Sequence, residues 1–323
     1  MSHRDITRRA FHAAAAAGVV GAFGGRAARG ADPVYGAGVP LNGLRIFPSD
    51  NPWNQDISKR AVDPMSARIL YRVGLDKPLH PDFGTVYQGA PNGIPYVVVR
   101  GTQLKVPVTF RYAGESDPGP YPIPNDAPIE GGPTATGDRH ILIIDRDNAK
   151  LYELFSAYRS KIGNGWDAGG GAIFNLNSNA LRPAGWTSAD AAGLPIFPGL
   201  ARYEEAVTLG AIRHALRFTV AKTRRGYVYP ARHFASSATD VDLPPMGMRV
   251  RLKANYDIRA FPPQARVILT ALKTYGMFLA DNGGDWFLSG APDPRWNDDD
   301  LHSLKKVKVR DFEVVTMGTV VTR

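Results

Sequence analysis

The sequence predicts a mainly β fold, an antiparallel β-sandwich or jelly-roll with two or three packed helices. Three observations predict it. Short runs rich in β-branched and aromatic residues outnumber helical patterns by about three to one. Those runs are punctuated by turn formers, with 34 Gly and 26 Pro among 323 residues. The runs do not alternate with helices, so the βαβ order of a doubly wound sheet is missing. No internal repeat and no Ser/Gly-rich linker divides the chain, so 32–323 is expected to be a single β-rich domain.

The elements follow in order. Residues 44–47 read as a short strand, and Asn51-Pro52-Trp53-Asn54 as a turn with an aromatic plug. Residues 64–73 carry helical spacing at Met65, Ile69, Leu70 and Val73, with Pro64 in the first turn. A long loop, 75–93, precedes strands at 94–100 and 105–112. The Pro/Gly/Asp-rich stretch 113–137 is too long for a routine connection and reads as a functional loop or a strap over the sheet. Next come two apolar runs, 140–144 and 151–158, joined by the polar turn 145–150. They read as a hairpin, and their apolarity on both faces marks central strands covered on each side.

Strands are then expected at 172–177, 214–221, 227–229 and 248–254, with a short helix at 203–212 begun by Glu204 and Glu205. The clearest helix is 262–275: two prolines open it, Val267, Leu269, Ala271 and Leu272 fill one side, and Gly276 ends it. Residues 277–280 and 286–288 flank Asn282-Gly283 and read as a second hairpin. A short helix at 298–306, acids first and lysines last, precedes terminal strands at 312–315 and 319–321.

The first 31 residues stand apart from the fold. Thr7-Arg8-Arg9-Ala10-Phe11 precedes a weakly apolar Ala/Gly-rich run and then small residues up to Ala31. This pattern reads as a twin-arginine export signal, which engages the twin-arginine export machinery and delivers a secreted or periplasmic protein. The run is too short and too rich in Ala and Gly for a permanent membrane span. Five arginines and one aspartate leave with the signal, so the net charge of +9 falls to +5. Such a mild, scattered excess gives no reason to expect nucleic acid as a partner. The absence of cysteine excludes disulfides, thiolate metal sites and a cysteine nucleophile.

Candidate chemistry lies mainly in carboxylates. Glu153 sits among large apolar side chains in the second run of the central hairpin. A carboxylate there is costly unless paired or protonated. Asp281 and Asp145 each close an apolar strand. Cleavage of a glycosidic bond requires two carboxyl groups across a cleft, one with a raised pKa. Glu153 is therefore the candidate general acid, with Asp281 or Asp145 as its partner and His214 assisting. The alternatives are a buried ion pair of Glu153 with Arg182 or Arg217, and turn chemistry for the two aspartates. Trp166 and Trp186, with Asn175, Asn177 and Arg182, form the densest group of aromatic and amide side chains suited to a polysaccharide or oligosaccharide. The five histidines of the mature chain, His80, His140, His214, His233 and His302, are too far apart for a local metal clamp. No phosphate loop, dinucleotide fingerprint, HExxH or nucleophile elbow is present, so neither a cofactor nor a preformed metal site is expected.

The stretch from Arg182 to Glu205, followed by Gly210-x-Ile212-x-His214-Ala215-Leu216 and by Tyr275-Gly276 with Asp281, resembles a family of twin-arginine-exported bacterial proteins without an assigned activity. The resemblance implies a secreted bacterial protein and transfers no catalytic residue. The expectation is thus an exported carbohydrate-active enzyme, a glycoside hydrolase with paired carboxylates. The alternatives are a non-catalytic glycan- or cell-envelope-binding protein, and a secreted hydrolase with a metal held by His140, His214 and a carboxylate.

Overall fold

The central hairpin forms as its pattern predicts. Ile141–Asp145 pairs antiparallel with Lys150–Phe155, placing Leu142 opposite Glu153 and Ile143 opposite Tyr152. The computed structural model describes residues 32–323; the twin-arginine stretch lies outside the described residues. The hairpin is central to a five-stranded sheet in the order Gly36–Ala37, Tyr96–Val99, Ile141–Asp145, Lys150–Phe155, Gly170–Asn175. All five residues of Ile141–Asp145 are buried, because both faces are covered. Ile141, Ile143, Tyr152 and Leu154 pack with Tyr121, Ile123 and Trp166 beneath a small sheet of Val108–Phe110, Trp166–Ala168 and Tyr158–Arg159. Leu142, Ile144, Leu151 and Ala172 face the main core. Each such aliphatic side chain contributes roughly 1.5–3 kcal/mol by leaving water.

A six-stranded sheet forms the other half of the main core. Its order is Phe312–Val314, Arg249–Leu252, Met277–Asn282, Leu216–Val220, Phe287–Ser289, His80–Asp82. Here the expected second hairpin is not formed. Asn282-Gly283 does reverse the chain, but Leu216–Val220 lies between the two strands that the turn joins. Turn chemistry is local, whereas the identity of the neighbouring strand is not. The purely antiparallel arrangement also needs correction, because four of the twelve strand pairings are parallel. The protein is mostly β, with 24% strand and 16% helix in several sheets and no barrel among the described residues.

Three α-helices pack against these sheets: Ser66–Val73, Pro263–Thr274 and Asp298–His302. Pro263–Thr274 has proline at its first turn and buries Ala265, Ile268, Leu269, Ala271 and Leu272. The Asp300 carboxylate accepts from the N–H groups of Gln264 and Ala265 at 3.1 Å, satisfying two free helix-end donors. Gly276 then turns the chain with φ +66°, and a Cβ there would lie 2.2 Å from the Val250 carbonyl oxygen. Gly276→Ala is therefore expected to destabilise the protein by about 2–4 kcal/mol, through a forbidden φ and a backbone clash together. Urea unfolding measures it; a loss within about 0.5 kcal/mol, the range of neutral surface changes, would contradict the packing.

Other expectations shift. Residues 44–47 form no strand, and residues 319–321 contribute only the bridge from Val321 to Tyr227. The helix expected at 203–212 is a π-helix over Glu204–Thr208. No helix among the described residues is long and apolar enough to cross a membrane.

The two larger sheets are tied together by the irregular segment 188–200. Its Asp190 bonds Arg217 of the six-stranded sheet, and the Ala192 N–H donates to the Ala280 carbonyl at 2.9 Å. Its Ile196 and Phe197 N–H groups donate to Glu153 of the five-stranded sheet.

Candidate functional site

Beside this tie lies a polar cleft of about 460 Å³. Its floor is one face of the six-stranded sheet. In the antiparallel and parallel pairings next to it, Ser289 pairs with Asp82 and Thr219 with Phe287. Residues opposite one another share a face, so Arg217, Thr219, Ser289 and Asp82 form a polar band across three strands. Two loops wall the cleft. One carries Glu130, Thr136 and Asp138 and belongs to the long 113–137 stretch and its end; the other carries Tyr87, Gln88 and Asn92. Residues of the long 113–137 stretch thus form part of the cleft wall.

Asp281 reaches this face through a β-bulge. Leu279 pairs with Phe218, but the next pair is Asp281 with Thr219, leaving Ala280 as an extra residue. Without the bulge Ala280 would stand opposite Thr219 and Asp281 would point to the other face. A bulge of this kind re-aims one side chain. The Asp281 carboxyl comes 3.8 Å from the Arg217 guanidinium and is one-quarter exposed. Burial raises its pKa to about 7; the negative charge of Asp190 adds to the rise and Arg217 opposes it.

Arg217 itself is committed elsewhere. Its Nε and Nη2 donate to the two oxygens of Asp190, both at 2.6 Å, and its Nη1 to the Ser289 hydroxyl. Asp190 has no exposed side-chain surface. The bidentate pair is therefore a structural rivet whose charges largely cancel. On the opposite wall His140 precedes the central hairpin and is buried. Its Nδ1 lies 2.6 Å from Glu130 Oε2, and its Nε2 lies 3.1 Å from the Ala189 carbonyl. Both ring nitrogens face acceptors, which fits an imidazolium donating twice. Burial alone would lower the His140 pKa, but the Glu130 carboxylate outweighs it and raises the value to about 9. Burial would raise Glu130, and His140 reverses that, so Glu130 is held below the usual range. Asp82 is shifted the other way, upward, by loss of water and then by the charge of Glu130.

The cleft therefore holds two fixed, internally paired cations and two carboxyl groups, Asp281 and Asp82, whose pKa values are raised. Perturbed carboxyl groups gathered in a cleft are candidates for acid–base chemistry. Among the described residues no cluster of three His, Cys, Asp or Glu side chains has metal-binding geometry.

Of the residues singled out in the sequence, Asp281, His140 and Arg217 line the cleft, whereas Glu153, Asp145, His214, Trp166, Asn175, Asn177, Arg182 and Trp186 do not. Glu153 is fully buried; its oxygens accept from the N–H groups of Ile196 at 2.9 and 3.0 Å and of Phe197 at 2.8 Å. It closes the turn Phe197–Gly199 from within, and neither Arg182 nor Arg217 pairs with it. Burial raises its pKa to about 7 against the pull of those two amides. A sealed carboxyl meets no substrate, so Glu153 does not suit the role of general acid. Asp145 accepts from the backbone and side chain of Asn148 and shapes the hairpin turn. His214 lines a different cleft, with Arg202 and Glu205; a metal shared by His140 and His214 therefore has no common site.

The expected sugar platform is not assembled. Trp166 is a core plug with the Arg159 guanidinium 4.4 Å over its ring. Arg182 is buried, donating to Asp117 and to the carbonyls of Glu115 and Thr187, and lies 5.4 Å from the Trp186 ring. The strand ends at Asn175, whose side chain accepts from the Asn177 N–H in a turn, so Asn175 and Asn177 form no common row. Sequence reasoning missed Asp82 and Glu130 as site residues, although both loops that carry them stood out by length. Arg217 was legible only as a partner for a buried acid, and its partner is Asp190.

Compared with known proteins, the chain matches no family model, no curated protein and no solved structure.

Proposed function

We propose that this cleft is the active site of an exported carbohydrate-active enzyme, a glycoside hydrolase in which Asp281 is the general acid and Asp82 activates water. The observation that carries the reading is the Asp281 carboxyl, re-aimed by a bulge into a polar cleft and held with a pKa of about 7. At neutral pH a large share of it keeps the proton that a leaving sugar oxygen requires. The strands of Asp281 and Asp82 are three spacings apart in the sheet, about 14 Å between backbones. Both groups line the same cleft of about 460 Å³, which has room for a sugar and a water. His140 and Arg217 have no free charge to offer an anion, which favours a neutral glycan bound by hydroxyl and amide groups such as Asn92, Thr219 and Asn282. Export rests on the twin-arginine stretch in 1–31.

The experiment is a reducing-end assay on a panel of polysaccharides, with wild type, Asp281→Asn and Asp82→Asn. Turnover is expected to fall as pH rises through about 7, where Asp281 loses its proton. Each variant should lose roughly a hundredfold or more. No reducing ends from any polysaccharide, with glycan binding retained, would replace the enzyme by the second reading, a non-catalytic glycan- or cell-envelope-binding protein. That reading is favoured by one observation: every buried charge around the cleft is already locked to a neighbour, as a rigid recognition surface requires.

A further inference from the structure

A second cleft, of about 340 Å³, shares no lining residue with the first. It lies over the π-helix Glu204–Thr208, a rare element that recurs at functional sites. Its base is a closed network. Arg202 Nη2 donates to Glu205 Oε1 at 2.7 Å, and His214 Nε2 lies 3.1 Å from Glu205 Oε2 and 3.2 Å from Arg202 Nη2. His214 Nδ1 sits 2.8 Å from the Ala215 carbonyl. Glu204 accepts from the Leu41 N–H at 2.8 Å and so ties the opposite wall to the π-helix. Burial would raise the Glu205 pKa, but Arg202 and His214 bring it down to about 2. The single acid of this cleft is thus ionised at neutral pH and already paired with Arg202 and His214.

What remains is an unbalanced positive charge above an apolar wall. Three guanidinium groups, Arg45, Arg202 and Arg213, line the cleft against the one carboxylate. Among the described residues Arg45 and Arg213 enter no ion pair, and both are exposed. The Nε–H of Arg202, buried in the same network, has no acceptor among the described residues. Leu41, Leu44, Ile46 and Pro198 supply the apolar surface, and Ser49 and Asn54 complete the lining. Guanidinium groups bind carboxylates as planar forks, and apolar walls with few convergent polar groups are the usual make-up of small-molecule sites.

We propose that this cleft binds a small organic acid, its carboxylate held by Arg45 and Arg213 and its apolar body laid against Leu41, Leu44, Ile46 and Pro198. An inorganic anion would leave that wall wet, and a neutral molecule would leave the two guanidinium groups unpaired. The site stands apart from the acidic cleft in both place and charge.

Isothermal titration of the full chain with benzoate tests it, with benzyl alcohol as the neutral control and inorganic phosphate as the anion without an apolar body. Benzoate is expected to bind saturably at one site per chain. Arg213→Ala and Arg45→Ala, both at exposed positions, should each weaken it roughly tenfold, whereas Asp281→Asn should leave it unchanged. An unchanged melting temperature shows that each variant is folded. Absence of saturable benzoate binding, binding indifferent to both arginine substitutions, or phosphate binding as tight as benzoate would each overturn the proposal. A failed polysaccharide assay bears only on the other cleft.

Discussion

Replacing Arg217 by Met is expected to destabilise the protein by about 3–5 kcal/mol, the cost of leaving a buried charge without its partner. Asp190 has no exposed side-chain surface and receives both of its short charge-assisted bonds from Arg217. Methionine occupies similar space, so the loss is electrostatic more than one of packing. The pair also ties segment 188–200 to the six-stranded sheet. Urea unfolding at pH 7 gives the value directly. The double variant Arg217→Met/Asp190→Leu should recover much of the loss, because an apolar pair replaces a buried ion pair at little cost. If the single substitution costs less than about 1 kcal/mol, in the range of an exposed pair, the rivet is not holding the two sheets together. Its removal has a second consequence for Asp281, because the nearby cation that lowers its pKa disappears and only the Asn282 N–H still opposes the rise. The proton-loaded form then persists to higher pH.

Glu153→Ala should be nearly as damaging, at about 3–5 kcal/mol, because it strands the N–H groups of Ile196 and Phe197 and opens a cavity between the sheets. Glu153→Gln keeps one oxygen for those donors and separates packing from charge. The Glu153 pKa is about 7 in the folded protein, raised from 4.5. The contribution of this group to stability is therefore complete below about pH 4.5 and lost as pH rises through about 7. Relative to Glu153→Gln, wild type should lose up to about 3 kcal/mol between pH 4.5 and pH 8. Asp281 shifts in the same direction from 3.8 and adds a loss of the same sign. Urea midpoints at pH 5 and pH 8 measure the difference. A gap between wild type and Glu153→Gln that stays constant with pH would show that this carboxyl does not titrate in that window.

The amino-acid sequence already carries the β-rich character, the central hairpin and the helix Pro263–Thr274. These depend on period, turn chemistry and helix punctuation, all carried by residues close together in the chain. It also marked Glu153 as buried in apolar surroundings, which is a matter of its neighbours at i ± 2. What that carboxyl faces is set by long-range packing, because the donors that hold it are backbone amides forty-three and forty-four residues away. The same holds for Asp281. Its strand was legible, but a one-residue bulge against Leu216–Val220 sets which face its carboxyl joins, and a bulge leaves no local mark when the extra residue is an alanine. Asp82, Glu130, His140 and Arg217 meet because a parallel pairing and two long loops bring distant segments to one sheet face. Pairing of that kind is driven by burial summed over the whole chain, so tertiary packing, and no local pattern, places the candidate site.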